Sequence, residues 1–151
     1  MVTQFLGHIV RGETIKLVDG GAQKRSFTYI DDGIDALMKI IENKNGVTSH
    51  KIYNIGNPKN NLSVKELAQM MVDLALTYPE YRANAKKVRM VRTRLGAYYG
   101  KGYQEIQNRV PKIDNTCHDL KWKPKVGMKQ ALKSIFDVYR AYLAQARRLM
   151  D

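Results

Sequence analysis

Apolar residues at helical spacing alternate along this chain with short strand-like runs, and that alternation confines it to a mixed α/β fold. Residues Thr3 to Val10 read as a helix with Phe5, Leu6, Ile9 and Val10 on one stripe, and Arg11-Gly12 ends it. Ile15 to Val18 read as a strand, closed by the turn Asp19-Gly20-Gly21. A second helix starts at Asp31, with Ile34, Leu37, Met38 and Ile41 spaced as one buried face and Asn45-Gly46 as its stop. Asp31 and Asp32 suit the positive end of its dipole. Lys51 to Ile55 read as a short strand before Gly56-Asn57-Pro58. Ser63-Val64-Lys65-Glu66 is a capping box opening a helix with Val64, Leu67, Met71 and Leu74 on its stripe, ended by Tyr78-Pro79. Lys86 to Arg92 alternate as a strand, and Ile113 to Leu120 read as a short helix. A long helix is predicted over Met128 to Met150, with Leu132, Ile135, Tyr139, Tyr142 or Leu143, and Ala146 inward.

With 151 residues, 44% of them hydrophobic and 26% charged, the chain has the makings of one ordered domain. No apolar run approaches the roughly 18–20 residues of a membrane helix. The single cysteine, Cys117, precludes an internal disulfide and suits a reducing, cytoplasmic compartment. Lys and Arg outnumber Asp and Glu by 26 to 14, giving a net charge of +12. Such a charge favours anionic partners. The cations are scattered, however, and no helix-turn-helix, zinc-finger or RNA-recognition signature accompanies them, so a solvated basic surface is favoured over nucleic-acid binding. No metal-ligand cluster stands out.

Two segments carry chemistry rather than core. Tyr98-Tyr99-Gly100-Lys101-Gly102-Tyr103-Gln104-Glu105 is followed by Asn108-Arg109-Val110-Pro111. Glycine admits close backbone approach, tyrosine offers a flat face with a hydroxyl tip, and arginine presents a fork of donors for carboxylate or phosphate. Residues Lys16, Leu17, Val18, Asp19, Gly20, Gly21, Ala22, Gln23, Lys24 and Arg25 repeat this character. A loop that grips an anionic small molecule and an ordinary turn-rich surface loop both fit these compositions.

Together with Tyr53-Asn54-Ile55-Gly56-Asn57-Pro58, these segments resemble the C-terminal half of bacterial UDP-glucuronic acid decarboxylases, from near Thr3 to about Tyr142. Those enzymes belong to the extended short-chain dehydrogenase/reductase family, and the likeness is greatest to the decarboxylase domains of bifunctional polymyxin-resistance enzymes acting in lipid A modification. The resemblance implies a Rossmann-like α/β fold represented here by its C-terminal, substrate-binding portion, with residues 1–151 forming a single partial domain. It also implies NAD as cofactor and UDP-glucuronate or a related UDP-sugar as substrate. In such enzymes the sugar C4 hydroxyl is oxidised by NAD, and the resulting β-keto acid loses its carboxylate as CO2.

By the same resemblance, Lys16 to Arg25 form the substrate-binding stretch. Lys24 and Arg25 would pair with phosphate oxygens and Gln23 with polar ligand groups; Tyr103 contacts the substrate. Arg109 matches an arginine assigned as catalytic acid. A guanidinium holds its proton to a pKa above about 12, so orienting the carboxylate and stabilising the developing enolate is its more natural task. Ahead of Tyr98 stands Arg94-Leu95-Gly96-Ala97 where the nearest relatives carry a serine run, which leaves sister nucleotide-sugar reactions open.

The sequence has no G-x-G-x-x-G loop, and no tyrosine is followed four residues later by lysine. The family places both features in its N-terminal half. The expectation is therefore a portion without its dinucleotide-binding core, inactive alone and completed by an N-terminal half.

Overall fold

The computed structural model describes residues 1–94 and 106–143. It is mixed α/β: α1 spans Val2–Arg11, β1 Ile15–Val18, β2 Lys24–Ser26, α2 Ile30–Glu42 and β3 Asn61–Ser63. These are followed by α3 at Val64–Thr77, α4 at Pro79–Ala85, β4 at Met90–Thr93, β5 at Asn108–Arg109, α5 at Asp114–Leu120 and α6 at Met128–Ala141. The described residues divide into two compact units: residues 1–23, 63–94, 106–107 and 132–143 make one, and residues 24–62 and 108–131 the other.

In the first unit β1 pairs in parallel with β4, Ile15 opposite Met90 through Val18 opposite Thr93. Alternation in β1 buries Ile15 and Leu17 and exposes Lys16, while Val18 is also buried. α1 contributes Phe5, Leu6, Ile9 and Val10 to the core, and α3 contributes Val64, Leu67, Ala68, Met71 and Ala75. Tyr78, Tyr81 and Phe136 meet with ring centroids 5.0–5.9 Å apart. The buried Tyr81 hydroxyl donates to the Phe136 carbonyl at 3.1 Å, and burial pushes its pKa up to about 12.

The start of α3 leaves no amide without a partner. Glu66 N donates to Ser63 Oγ and Ser63 N to Glu66 Oε2, completing the capping box. Val64 N donates to the Gln23 carbonyl at 3.1 Å and Lys65 N to the Gly21 carbonyl at 3.0 Å. The four donors that a helix start leaves over are thus all satisfied. Gly21 has φ +72, and a Cβ there would lie 3.0 Å from Lys65 N, so both its backbone angle and its closeness to α3 require glycine.

In the second unit β2 lies between β3 and β5. Ala36 of α2 packs with Leu120 and Trp122, surrounded by Ile40, Tyr53, Ile55, Ile113 and Cys117. Asp32 is buried: its carboxylate accepts hydrogen bonds from Lys125 N at 3.0 Å and Val126 N at 2.9 Å. Its carbonyl accepts from Trp122 Nε1 at 3.1 Å. The Val126 carbonyl in turn accepts from the side-chain amides of Asn57 and Asn60.

Several expectations need correction. Ile34, Leu37, Met38 and Ile41 share a face of α2, but that face is exposed; the buried side is that of Asp32 and Ala36. Lys51 to Ile55 form no strand. Their carbonyls are taken by side chains instead: Thr116 Oγ1 donates to the Asn54 carbonyl and Asn115 Nδ2 to that of Ile52. The strand read over Lys86 to Arg92 occupies Met90–Thr93. Of the alternatives Tyr142 and Leu143, Tyr142 is 58% exposed and Leu143 half-buried, whereas Phe136, which was not read as inward, is fully buried.

Candidate functional site

The two arginines singled out in the sequence come together in the second unit. β2 and β5 run parallel with Lys24 opposite Asn108 and Arg25 opposite Arg109. Partners in a parallel pair sit about 4.8 Å apart along the hydrogen-bonding direction and point to one face of the sheet. Both arginines line an open cleft of about 700 Å³, with Ser26, Asn54, Asn108 and Lys112 also on its walls. Arg25 is half-buried and Arg109 exposed. Arg25 Nη1 donates to the Lys24 carbonyl at 2.7 Å. Lys112 faces Asp114 at 3.9 Å, a long pairing between exposed side chains.

Like charges placed side by side on a sheet destabilise it unless an anion sits between them. Guanidinium and ammonium groups are the donors suited to carboxylate or phosphate. The cleft also holds a polar group left over by the fold: Ser26 Oγ is buried and has no hydrogen-bond partner among the described residues.

In the first unit, Lys16, Val18 and Gln23 line a smaller cleft of about 260 Å³ with Met1, Gln4, Phe5 and Val64. Gln23 is 9% exposed. The rest of the Lys16–Arg25 stretch divides by environment. Leu17 and Val18 are buried, Asp19 (φ 46) and Gly20 (φ 82) make the turn, Gly21 packs on α3, and Ala22 and Lys24 are exposed. Tyr103 lies outside the described residues. Ser26 and Lys112 were not singled out individually in the sequence, whereas Asn54 belongs to the noted Tyr53–Pro58 motif and Asn108 to the noted Asn108–Pro111 run. Among the described residues no group of three or more His, Cys, Asp or Glu is placed to hold a metal, and no helix is long and apolar enough to cross a membrane.

Residues 1–56 match the model of the NAD dependent epimerase/dehydratase family. The crystal structure of PbgP3 protein from Burkholderia pseudomallei is similar at 57% identity and TM-score 0.87, over 99% of this chain and 41% of that one. Residues 1–56 are thus similar to that family, and the chain as a whole is similar to PbgP3. Its fold recurs in UDP-glucose 4-epimerase of Thermotoga maritima, solved with UDP-glucose, at TM-score 0.67 and 21% identity over 94% of this chain and 40% of that one. MoeE5, solved in complex with UDP-glucose and NAD, has the fold at TM-score 0.67 and 20% identity over 94% of this chain and 42% of that one. The present chain thus spans about two fifths of the length of these structures.

NAD is used within that family, but the described residues do not fit its pyrophosphate. A Rossmann cradle needs a strand, a glycine turn and then a helix whose free amides face the phosphates. Here β1 does end in Gly20-Gly21, yet the chain continues into β2 instead of a helix. The nearby start of α3 has its amides already engaged by the Gly21 and Gln23 carbonyls.

Proposed function

We propose that this chain forms the UDP-sugar-binding portion of a UDP-glucuronate decarboxylase. The observation that carries the reading is the pairing of Arg25 and Arg109 in register on one cleft wall. UDP-glucuronate presents both anions such a wall suits, a diphosphate and a sugar carboxylate. Arg25, with Lys24 beside it, is assigned to phosphate oxygens. Arg109 is assigned to the carboxylate: it holds the group before CO2 leaves and then stabilises the negative charge that remains as enolate. Tyr103 is assigned a contact with the sugar, and Lys16 and Gln23 polar contacts with the nucleotide portion. The match of residues 1–56 to the NAD dependent epimerase/dehydratase family model supports extending the reading to a whole enzyme that uses NAD, with residues 1–151 as one partial domain of it. On this reading its product feeds 4-amino-arabinose modification of lipid A or UDP-pentose synthesis in the cytoplasm, and an N-terminal half supplies the dinucleotide site.

CO2 release from UDP-glucuronate in the presence of NAD tests this, using the longest native polypeptide that contains the segment, beside its Arg109→Met variant. Release that collapses in the variant is the expected result. Binding of the UDP-sugar with no CO2 would place the chain with a sister epimerase or dehydratase and remove the role given to Arg109.

A further inference from the structure

A second cleft in the second unit, of about 460 Å³, lies at the C-terminal ends of α2 and α5. It shares no lining residue with the cleft of Arg25 and Arg109. Lys39, Lys44 and Lys121 line it, together with Glu42 and Asp119. Asp119 is already committed: its carboxylate accepts hydrogen bonds from Lys51 at 2.7 Å and Tyr53 at 2.9 Å, and pairs with His118 at 2.9 Å. The three lining ammonium groups, by contrast, enter no ion pair among the described residues. Each helix end supplies about half a negative charge, and Glu42 one more. Three lysines exceed that sum, so the cleft keeps a cationic surplus.

Two further observations point to a ligand. Lys121 caps α5 at φ 47 and ψ 39, the left-handed conformation that glycine adopts freely and a residue with a Cβ only under strain. A lysine in the last helical turn would offset the dipole without that strain, so capping does not explain Lys121. The wall opposite is also fixed in advance. Buried Thr48 donates from Oγ1 to the Ile40 carbonyl at 3.1 Å and to Asn43 Oδ1 at 2.7 Å, which pins the loop carrying Lys44. We propose that this cleft is a second anion site, which takes the phosphate group of a small phosphorylated molecule among Lys39, Lys44 and Lys121. Ammonium groups hold phosphate as point charges with rotatable donors, and the volume leaves room for an organic part. The inference is independent of decarboxylase chemistry.

The test is titration of the full chain with inorganic phosphate, followed through backbone amide chemical shifts by NMR. Chloride at about 0.1 M screens diffuse attraction, so that only a localised site responds. The expected result is saturable shifts at residues 39–47 and 119–121. Lys121→Gly and Lys44→Gln should each weaken binding there about fivefold or more. Lys121→Gly should at the same time melt at or above the parent, because glycine relieves the left-handed cap. Arg109→Met should leave these shifts unchanged, which separates this cleft from the other. No saturable shift at these residues, folded lysine variants that bind phosphate like the parent, or shifts that vanish in Arg109→Met would each overturn the proposal. The readout needs neither NAD nor UDP-glucuronate, so failure here is separable from failure of the decarboxylase reading.

Discussion

Arg25 and Arg109 are register partners on parallel strands, joined across the sheet from segments far apart in the chain. Like charges directly opposite on a sheet disfavour one another, and a bound anion would offset that. Arg25→Met and Arg109→Met are each expected to weaken UDP-glucuronate binding roughly tenfold or more, since a hydrogen bond to a charged group is worth about 1.5–3 kcal/mol. The melting temperature of the free protein should hold or rise. Calorimetric titration paired with thermal melts checks both halves; unchanged affinity in both variants would remove this wall from the binding site.

Gly56→Ala is expected to disturb the same cleft from behind. Its Cβ would fall inside contact distance of the Pro111 ring, and Gly56 and Pro111 both line the cleft that holds Arg109. A proline ring cannot swing aside as a long side chain does, so the 108–112 segment must shift. Overpacking of this kind costs about 1–3 kcal/mol. Urea unfolding should show that loss together with weaker UDP-sugar binding; a stable variant with intact binding would mean that Pro111 yields easily.

Asp32→Ala is expected to destabilise the second unit by about 2–4 kcal/mol, because it strips the acceptor from the Lys125 and Val126 amides together. Hydrogen exchange should then speed up at those two amides in particular. Unfolding at parent stability would show that water substitutes freely for the carboxylate.

Acid should expose the role of Asp119. Hydrogen bonds from Lys51, His118 and Tyr53 hold its carboxyl well below the usual carboxylate range. A carboxyl depressed in the folded state stabilises the fold above its unfolded pKa, about 4, and that contribution drains away as pH falls through the lower folded value. The melting gap between parent and Asp119→Asn should therefore be widest near pH 6 and close progressively below about pH 4. A gap that stays constant down to pH 2 contradicts this.

What could be read from the chain follows the range of the forces involved. β1 and α3 are local: alternation sets the one, the Ser63–Glu66 capping box opens the other, and each appears where expected. For α2, periodicity identified which residues share a face, but periodicity holds no information about what lies opposite, and the apolar stripe proved exposed. Lys51 to Ile55 read as a strand, yet the Ile52 and Asn54 carbonyls meet side-chain donors in place of a neighbouring strand. β2 and β5 are two or three residues each, all polar, and exist only through pairing, β2 with both β3 and β5, so no local pattern announces them. Arg109 could be singled out by family likeness; its placement beside Arg25 required the fold.

The engagement of Gly21 and Gln23 by the first amides of α3 bears on how tightly a ligand can be held. Backbone that already serves a 14-residue helix as its hydrogen-bonding terminus is fixed before any ligand arrives. Ordering a free loop costs about 1–2 kcal/mol of entropy for each residue immobilised. A molecule laid against Lys16–Gln23 escapes much of that charge, so affinity there is governed by the contacts made and not by the disorder surrendered.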